Sequence, residues 1–266
     1  MNYIDNKFDF LKPIKNQNLV RAGHNKDGGY IVDSNLFKNT NYLLSLGMGD
    51  DWSFELDYLN ENEKGVINIY DHTVNILNFL KPFLKCLKRF LIFKKNFSDV
   101  RSRFDILNKY LSFIFDKRVK FFKQKISNNK NSSKNVSISK AVGRLKDIEK
   151  LILKIDIEGS EYDSIDEIIE NNKRIEMIVI EFHDIDKKED IFIRNMKNLM
   201  KHFDIIHLHG NNHCGLTSYG IPIALEITLI HKIYRPKELI YEKNFPRNNL
   251  DFPNNPLKND INFTFK

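Results

Sequence analysis

Residues 43–51 read LLSLGMGDD. An apolar run enters Gly47 and Gly49, and Asp50 and Asp51 follow. A phosphate cradle also uses glycines, but it ends in lysine or in further glycines at a helix start. A dinucleotide fingerprint needs a third glycine at position 52, where Trp52 stands. This strand therefore ends on bare backbone and then on negative charge. Taken alone, a single G-x-G is also an ordinary tight strand-to-helix turn.

The next apolar run, VINIYD (66–71), ends in Asp71. In a doubly wound sheet, ligands bind beyond the carboxyl ends of the strands at the switch point. An acid there accepts hydrogen bonds from both hydroxyls of a ribose, and glycines let the backbone approach closely. Gly47, Gly49 and Asp71 together describe a nucleoside site with no need of a pyrophosphate. S-adenosylmethionine suits it, being a nucleoside joined to an amino acid by a sulfonium cation. Asp50 and Asp51 are tolerated beside such a cation and awkward beside phosphates.

Further runs read as buried strands: YLLSLG (42–47), VSISKAV (136–142), LILKID (151–156), EMIVIEF (176–182), DIIHLH (204–209) and ALEITLI (224–230). Most are continuously apolar, as strands covered on both faces are. Helical spacing lies between them, in SFELDYLNE after the first, SEYDSIDEIIENN (160–172) and KEDIFIRNMKNLMKHF (188–203). The alternation predicts an α/β sheet with right-handed crossovers, in a single domain over 1–266.

The chain is 41% hydrophobic and carries 21 Phe, which supplies a large core and excludes a disordered protein. Cys86 and Cys214 build neither a disulfide framework nor a metal knuckle, so a reducing compartment is expected. The first residues show no signal-peptide pattern, and no run approaches the roughly 18 apolar residues of a membrane span. The expected location is cytoplasmic, with the inner face of the membrane as a variant of it. Charge is uneven: residues 81–134 hold 16 Lys and Arg against 3 Asp and Glu, while the rest of the chain is mildly acidic. Residues 74–134 read as a basic helical insertion between the second and third strands. It contains the amphipathic LKPFLKCLKRFLIFKKNF and ends in the polar tract 127–135, an expected exposed loop. The tail beyond Pro236 is expected to wrap the surface with little regular structure.

Three more strand ends carry chemistry. LILKIDIEGSEYDSI (151–165) delivers Asp156 and Glu158, EMIVIEFHDID (176–186) delivers Glu181, His183 and Asp184, and IIHLHGNNHCG (205–215) places His207 and His209 on one strand face. One polar strand end is usually a solvated loop; recurrence along five strands is the stronger signal.

LLSLGMGDDWSFE, LKIDIEGSEYDSI, IEFHD and HLHGNN, in this order and spacing, resemble the FkbM-type S-adenosylmethionine-dependent methyltransferases. KIDIEGSE is the most specific of these segments, and RAGHNKDGGYIV (21–32) is similar to a DGGY element of some relatives. The resemblance covers roughly Arg21 to Lys232, interrupted by the basic insertion. It implies a class I methyltransferase fold, a seven-stranded Rossmann-like sheet whose last strand runs antiparallel. It implies methylation of sugar hydroxyls in surface polysaccharide, glycolipid or secondary-metabolite pathways. Carried onto this chain, it gives Gly47, Gly49 and Asp71 to the cofactor, and Asp156, Glu158, Glu181 and His183 to the reaction centre.

Methyl transfer to a hydroxyl needs in-line geometry and a route for the proton, which a base near neutral pKa provides. His183 is the first choice and His209 the second; each is also a plausible structural histidine. Asp156 orients cofactor or base, or joins Glu181 and a histidine around a divalent metal. Glu158 serves the site or the N-terminus of the next helix. Arg21 and Asp27 are candidates to close over the site, and Gly28 and Gly29 mark a turn. The basic insertion is a solvated cap, a capture surface for an anionic nucleotide sugar or glycan, or a membrane contact through residues 80–97. Two rival readings stay open: an RNA methyltransferase, disfavoured by the absence of recognisable RNA-binding modules, and a non-catalytic membrane-surface scaffold.

Overall fold

The computed structural model describes residues 2–127, 132, 134–145 and 149–266. The chain opens with a short strand, β1 (Asn2–Tyr3), and an antiparallel hairpin of β2 (Leu19–Ala22) and β3 (Tyr30–Asp33). Helix α1 (Ser34–Asn39) leads to β4 (Tyr42–Leu46), α2 (Ser53–Glu61) and β5 (Val66–Tyr70). Two long helices, α3 (Leu77–Leu91) and α4 (Phe97–Ile114), precede β6 (Val119–Phe122). Strands β7 (Lys125–Ile126) and β8 (Asn135–Val136) pair with each other, and α5 (Ile138–Gly143) follows. Then come β9 (Leu151–Ile155), α6 (Ile165–Glu170), β10 (Ile175–Phe182), α7 (Glu189–Leu199), β11 (Phe203–Gly210) and β12 (Leu225–His231). In the tail, β13 (Asn244–Phe245) and β14 (Phe263–Thr264) join β1 in a small sheet.

The main sheet has the order β11-β12-β10-β9-β4-β5-β6. All neighbours are parallel except β12, which runs antiparallel to both β10 and β11. The order reverses at β4, whose two partners are β5 and β9, so the switch point lies at the carboxyl ends of these three strands.

Successive side chains on a strand face opposite ways, and the sheet uses this to build two cores. Leu44, Leu46, Leu153, Ile155, Ile178 and Ile180 pack against α5, α6 and α7. Leu43, Ile67, Ile69, Ile152, Met177 and Val179 pack with Phe37 of α1 and Phe54 and Tyr58 of α2. Continuing that second face by two residues toward the strand ends gives Ser45, Lys154, Glu181 and Glu226, all buried. The second face therefore changes from apolar to polar as it nears the switch point.

Three expectations need correction. VSISKAV is not one strand: only Val136 belongs to β8, after which Ser137 accepts the Lys140 N–H at 3.2 Å as an N-cap, and Ile138, Ala141 and Val142 bury the i, i+3, i+4 face of α5. The strand that completes this side of the sheet is VKFF (119–122), inside the basic stretch, so 74–134 is a helical hairpin plus an edge strand. SEYDSIDEIIENN forms a 3₁₀ turn (Glu161–Ser164), α6 and a second 3₁₀ turn in place of one helix. The loop expected over 127–135 falls largely outside the described residues. Among the described residues, no helix is long and apolar enough to cross a membrane.

Candidate functional site

A cleft of about 460 Å³ opens at the switch point. The turn after β4 brings Gly47 and Gly49, the end of β5 brings Asp71 and Thr73, and the turn after β9 brings Asp156, Glu158 and Ser160. Tyr70, Ile126 and Ile157 add apolar lining. Gly47 is fixed by contact: at φ +79, a Cβ there would stand 1.7 Å from the Asp156 carbonyl oxygen. Gly49, at φ +63, has open space where a Cβ would be.

Asp71 is 5% exposed and its carboxylate is spent on the protein. Oδ2 accepts the N–H groups of Met48 (3.0 Å) and Gly49 (2.9 Å). Oδ1 accepts from the Thr73 N–H (2.6 Å), the Thr73 hydroxyl (2.7 Å) and the Val74 N–H (3.2 Å). Burial pushes its pKa up, but the bonds from Thr73, Gly49 and Met48 outweigh this and hold it below the usual carboxylate value. In this arrangement Asp71 braces the glycine turn of the neighbouring strand. Asp50 is exposed and lines a different hollow with His24, Asp51 and Trp52, beside α4.

His183 sits among carboxylates. Its Nε2 lies 4.0 Å from Asp156 Oδ1, 4.0 Å from Glu158 Oε2 and 3.7 Å from Glu181 Oε1. Its Nδ1 lies 3.4 Å from Oε1 of Glu161, a fully buried residue whose Oε2 has no hydrogen-bond partner among the described residues. Burial pulls the imidazole pKa down, yet Glu161, Glu181 and Asp156 together raise it to about 9. The surrounding carboxylates thus favour the protonated imidazole over the base poised near neutrality that the sequence reading expects. Burial likewise raises Asp156 against the pull of Lys154, His183 and the Tyr30 hydroxyl, which donates to Asp156 Oδ2 at 3.0 Å. Glu181 is pushed well up by burial and by the like charges of Asp156 and Glu226. Glu158 is held at φ +52 and followed by Gly159 at φ +90, a turn that leaves its side chain 89% exposed at the cleft.

His209 is placed differently. It is 1% exposed, with Nδ1 3.0 Å from Glu226 and Nε2 3.1 Å from Asp260, and it does not line the cleft. Burial lowers its pKa, but Glu226 and Asp260 raise it well above the ordinary value. Glu226 links the two sets, being the register partner of both Glu181 and His209. Asp27 joins Glu181 and Glu226 in a group whose oxygens lie within 4.8 Å, as do the ligand atoms of Asp156, Glu158 and His183. Arg21 donates from Nε and Nη2 to the His24 and Lys26 carbonyls, and its buried Nη1 has no hydrogen-bond partner among the described residues.

Several site residues escape the sequence reading. Tyr30, Glu55, Glu161, Glu226, Asp251, Asn254 and Asp260 all contribute to this polar face. One signal was available: Lys154 is a cation in the middle of the buried run LILKID and so demands a buried acid. Its partner is Glu55, 3.3 Å away. The tail residues carry no such mark, because their partners lie between 28 and 227 positions away in sequence.

No family model matches the chain, and no curated protein does. Solved structures similar to it include the Methanococcus jannaschii fibrillarin pre-rRNA processing protein, at 11% identity over 73% of this chain and 68% of that one, TM-score 0.40. A precorrin-6y C5,15-methyltransferase from Geobacter metallireducens gives 11%, 73%, 82% and 0.36. A Streptococcus pneumoniae putative tRNA (m1A22) methyltransferase in complex with S-adenosyl-L-methionine gives 8%, 74%, 69% and 0.39. Likenesses this distant leave the fold resting on the sheet itself: seven strands, a switch point at β4, and one antiparallel strand inserted next to the edge. The fold is that of a class I methyltransferase. In that frame the cleft occupies the switch point, and the His183 carboxylate cluster adjoins it through Asp156 and Glu158.

Proposed function

We propose that the chain is an S-adenosylmethionine-dependent O-methyltransferase acting on a sugar hydroxyl. The supporting observation is the cleft at the ends of β4, β5 and β9, where two glycines at positive φ expose backbone beside a cluster of carboxylates. The residues present fit the cofactor. Gly49 leaves room for close approach, Tyr70, Ile126 and Ile157 offer apolar surface to a flat base, and Asp156 and Glu158 set a negative field for a sulfonium. When bound, the cofactor supplies an electrophilic methyl group. Asp71 keeps the glycine turn in place through Met48 and Gly49. Glu158, exposed at the cleft, is an acceptor for a sugar hydroxyl, and the buried Glu181 beside His183 supports the cluster.

The hydroxyl proton needs an acceptor, and carboxylates that favour the protonated imidazole make His183 a poor one. We include in this reading a divalent cation held by Asp156, Glu158 and His183. Three carboxylate oxygens surround Nε2 at 3.7–4.0 Å, too far for hydrogen bonds and about twice the ~2.1 Å of a magnesium–oxygen bond. Glu161 stands behind Nδ1, where it would keep the proton on that nitrogen and leave Nε2 to the metal. A cation held there would take the place of the imidazole proton and would supply a lowered pKa to a sugar hydroxyl, whose proton would pass to water in the open cleft.

The test is transfer of a tritiated methyl group from S-adenosylmethionine to a panel of nucleotide sugars and glycans, with total RNA as the competing acceptor. Label in a sugar fraction, lost in Asp156→Asn and Glu181→Gln, supports the reading. Label in RNA alone would replace it with the nucleic-acid reading.

A further inference from the structure

The helical hairpin of α3 and α4 is a feature that methyl transfer does not use. At its base, Phe79, Tyr110 and Phe113 close on Trp52, with ring centroids 5.5, 5.5 and 6.2 Å away. Farther out the two helices pack on each other, through Phe83 with Phe104 and Phe90 with Phe97. At the tip, residues 91–98, LIFKKNFS, are all exposed.

What the tip exposes is apolar. Phe93 is 98% exposed, Leu91 68%, Phe97 66% and Ile92 53%. The turn is built and not frayed: the Phe93 N–H donates to the Phe90 carbonyl at 2.9 Å, and the Lys94 N–H donates to the Arg89 carbonyl at 2.8 Å. That closure puts Phe93 at φ +56, a left-handed position where glycine or asparagine is the usual occupant. Stability is given up there to hold an aromatic ring in water. Leu77, Leu84 and Leu91 extend the patch as an exposed stripe at seven-residue spacing along α3.

A collar of positive charge surrounds the patch. Lys81, Lys85, Lys88, Arg89, Lys94, Lys95, Arg101 and Arg103 are exposed, against the single acid Asp99 over the same span. Among the described residues only Lys95 of these has an acid within 4 Å, Asp99 at 3.4 Å. Exposed large apolar side chains inside a cationic rim mark an interaction site. The sign of the rim excludes a basic partner. The projecting shape of the tip suits insertion into a soft surface better than a fit into a preformed groove.

We propose that this tip docks the protein on an anionic lipid bilayer, with Leu91, Ile92, Phe93 and Phe97 entering the headgroup–acyl boundary and the lysines reaching lipid phosphates. Long cationic side chains snorkel in this way while their stems cover apolar surface. Helix α3 begins six residues after Asp71, which lines the cleft, and the docking tip follows its far end. The docking itself does not depend on methyl transfer.

The test is co-sedimentation of the full chain with vesicles of phosphatidylcholine containing phosphatidylglycerol, and with phosphatidylcholine alone. The wild type is expected to bind the anionic vesicles and to leave them as salt rises. Leu91→Ser with Phe93→Ser should weaken that binding by at least about tenfold, as should Lys94→Glu with Lys95→Glu. All four side chains are exposed, so an unchanged melting temperature certifies the fold of both variants. A Phe93→Trp variant should show emission shifted to the blue on anionic vesicles. Absence of binding to anionic vesicles at low salt overturns the proposal, as does binding that ignores the serine pair. Capture by single-stranded RNA without capture by vesicles would also overturn it and assign the surface to nucleic acid.

Discussion

The ammonium of Lys154 donates to the carbonyl oxygen of Gly47 across 2.9 Å. The same ammonium lies 3.3 Å from Glu55 Oε1, which also accepts the Ser45 hydroxyl at 2.6 Å. A buried cation on β9 therefore ties α2 to the first glycine of the cleft. Both side chains are nearly inaccessible, at 3% and 0%. Breaking such a pair from one side leaves an uncompensated charge, and Lys154→Met should cost about 3–5 kcal/mol. The double change with Glu55→Gln should recover part of that loss. Urea unfolding measures both, and a cost under about 1 kcal/mol for the single variant would contradict the arrangement.

Asp71 gives an acid-side signature. Its folded pKa is held below the unfolded value, so its contribution is complete above the unfolded value of about 3.9 and is lost as pH falls through the folded one. Asp71→Asn should be less stable than the wild type at pH 7 and should lose less further stability across that acidic window. Urea midpoints measured as a function of pH check this. Parallel curves for the two proteins would exclude Asp71 as the titrating group.

The two glycines of the opening motif should respond differently to a methyl group. Gly47→Ala drives a Cβ into the Asp156 carbonyl and should prevent stable folding of the site. Gly49→Ala meets nothing within 4 Å and should cost only its left-handed strain, about 1–2 kcal/mol. Thermal melts of both variants distinguish a contact requirement from a purely conformational one. Equal melting temperatures would contradict the close approach at Gly47.

A cation at His183 is open to direct measurement. Chelator-treated protein should bind one Mn²⁺ per chain by electron paramagnetic resonance, with the signal lost in Asp156→Asn and in His183→Ala. Added Mg²⁺ or Mn²⁺ should restore methyl transfer. Free Mn²⁺ spectra at all protein concentrations would exclude the site and leave the imidazolium as the cluster's counter-charge.

The sheet was legible in the sequence because buried parallel strands are continuous apolar runs, and YLLSL, VINIY, LILKI and EMIVIEF all have that form. VKFF was hidden because an edge strand is only half covered, and this one lies in a basic stretch that conceals its apolar pattern. VSISKAV misled because its Ile and Val residues favour strands, while the Ser137 cap and the i, i+3, i+4 burial decide for helix. In the site, residues at strand ends could be located by position alone, which is how Asp156, Glu158, Glu181 and His183 come together. Their charge states could not. The pKa of about 9 at His183 depends on Glu161 and Glu181, and no spacing rule reports that encirclement. The seclusion of His209 depends on Asp260 in a tail with no periodic signal.

The most direct test of the central claim is calorimetric titration of the wild-type chain with S-adenosylhomocysteine, beside an Asp71→Ala variant whose fold is verified by circular dichroism. The account predicts one micromolar site in the wild type and at least about tenfold weaker binding once the glycine turn loses its brace. No heat of binding to a folded wild type would contradict it, because the cleft at the switch point would then hold no such cofactor.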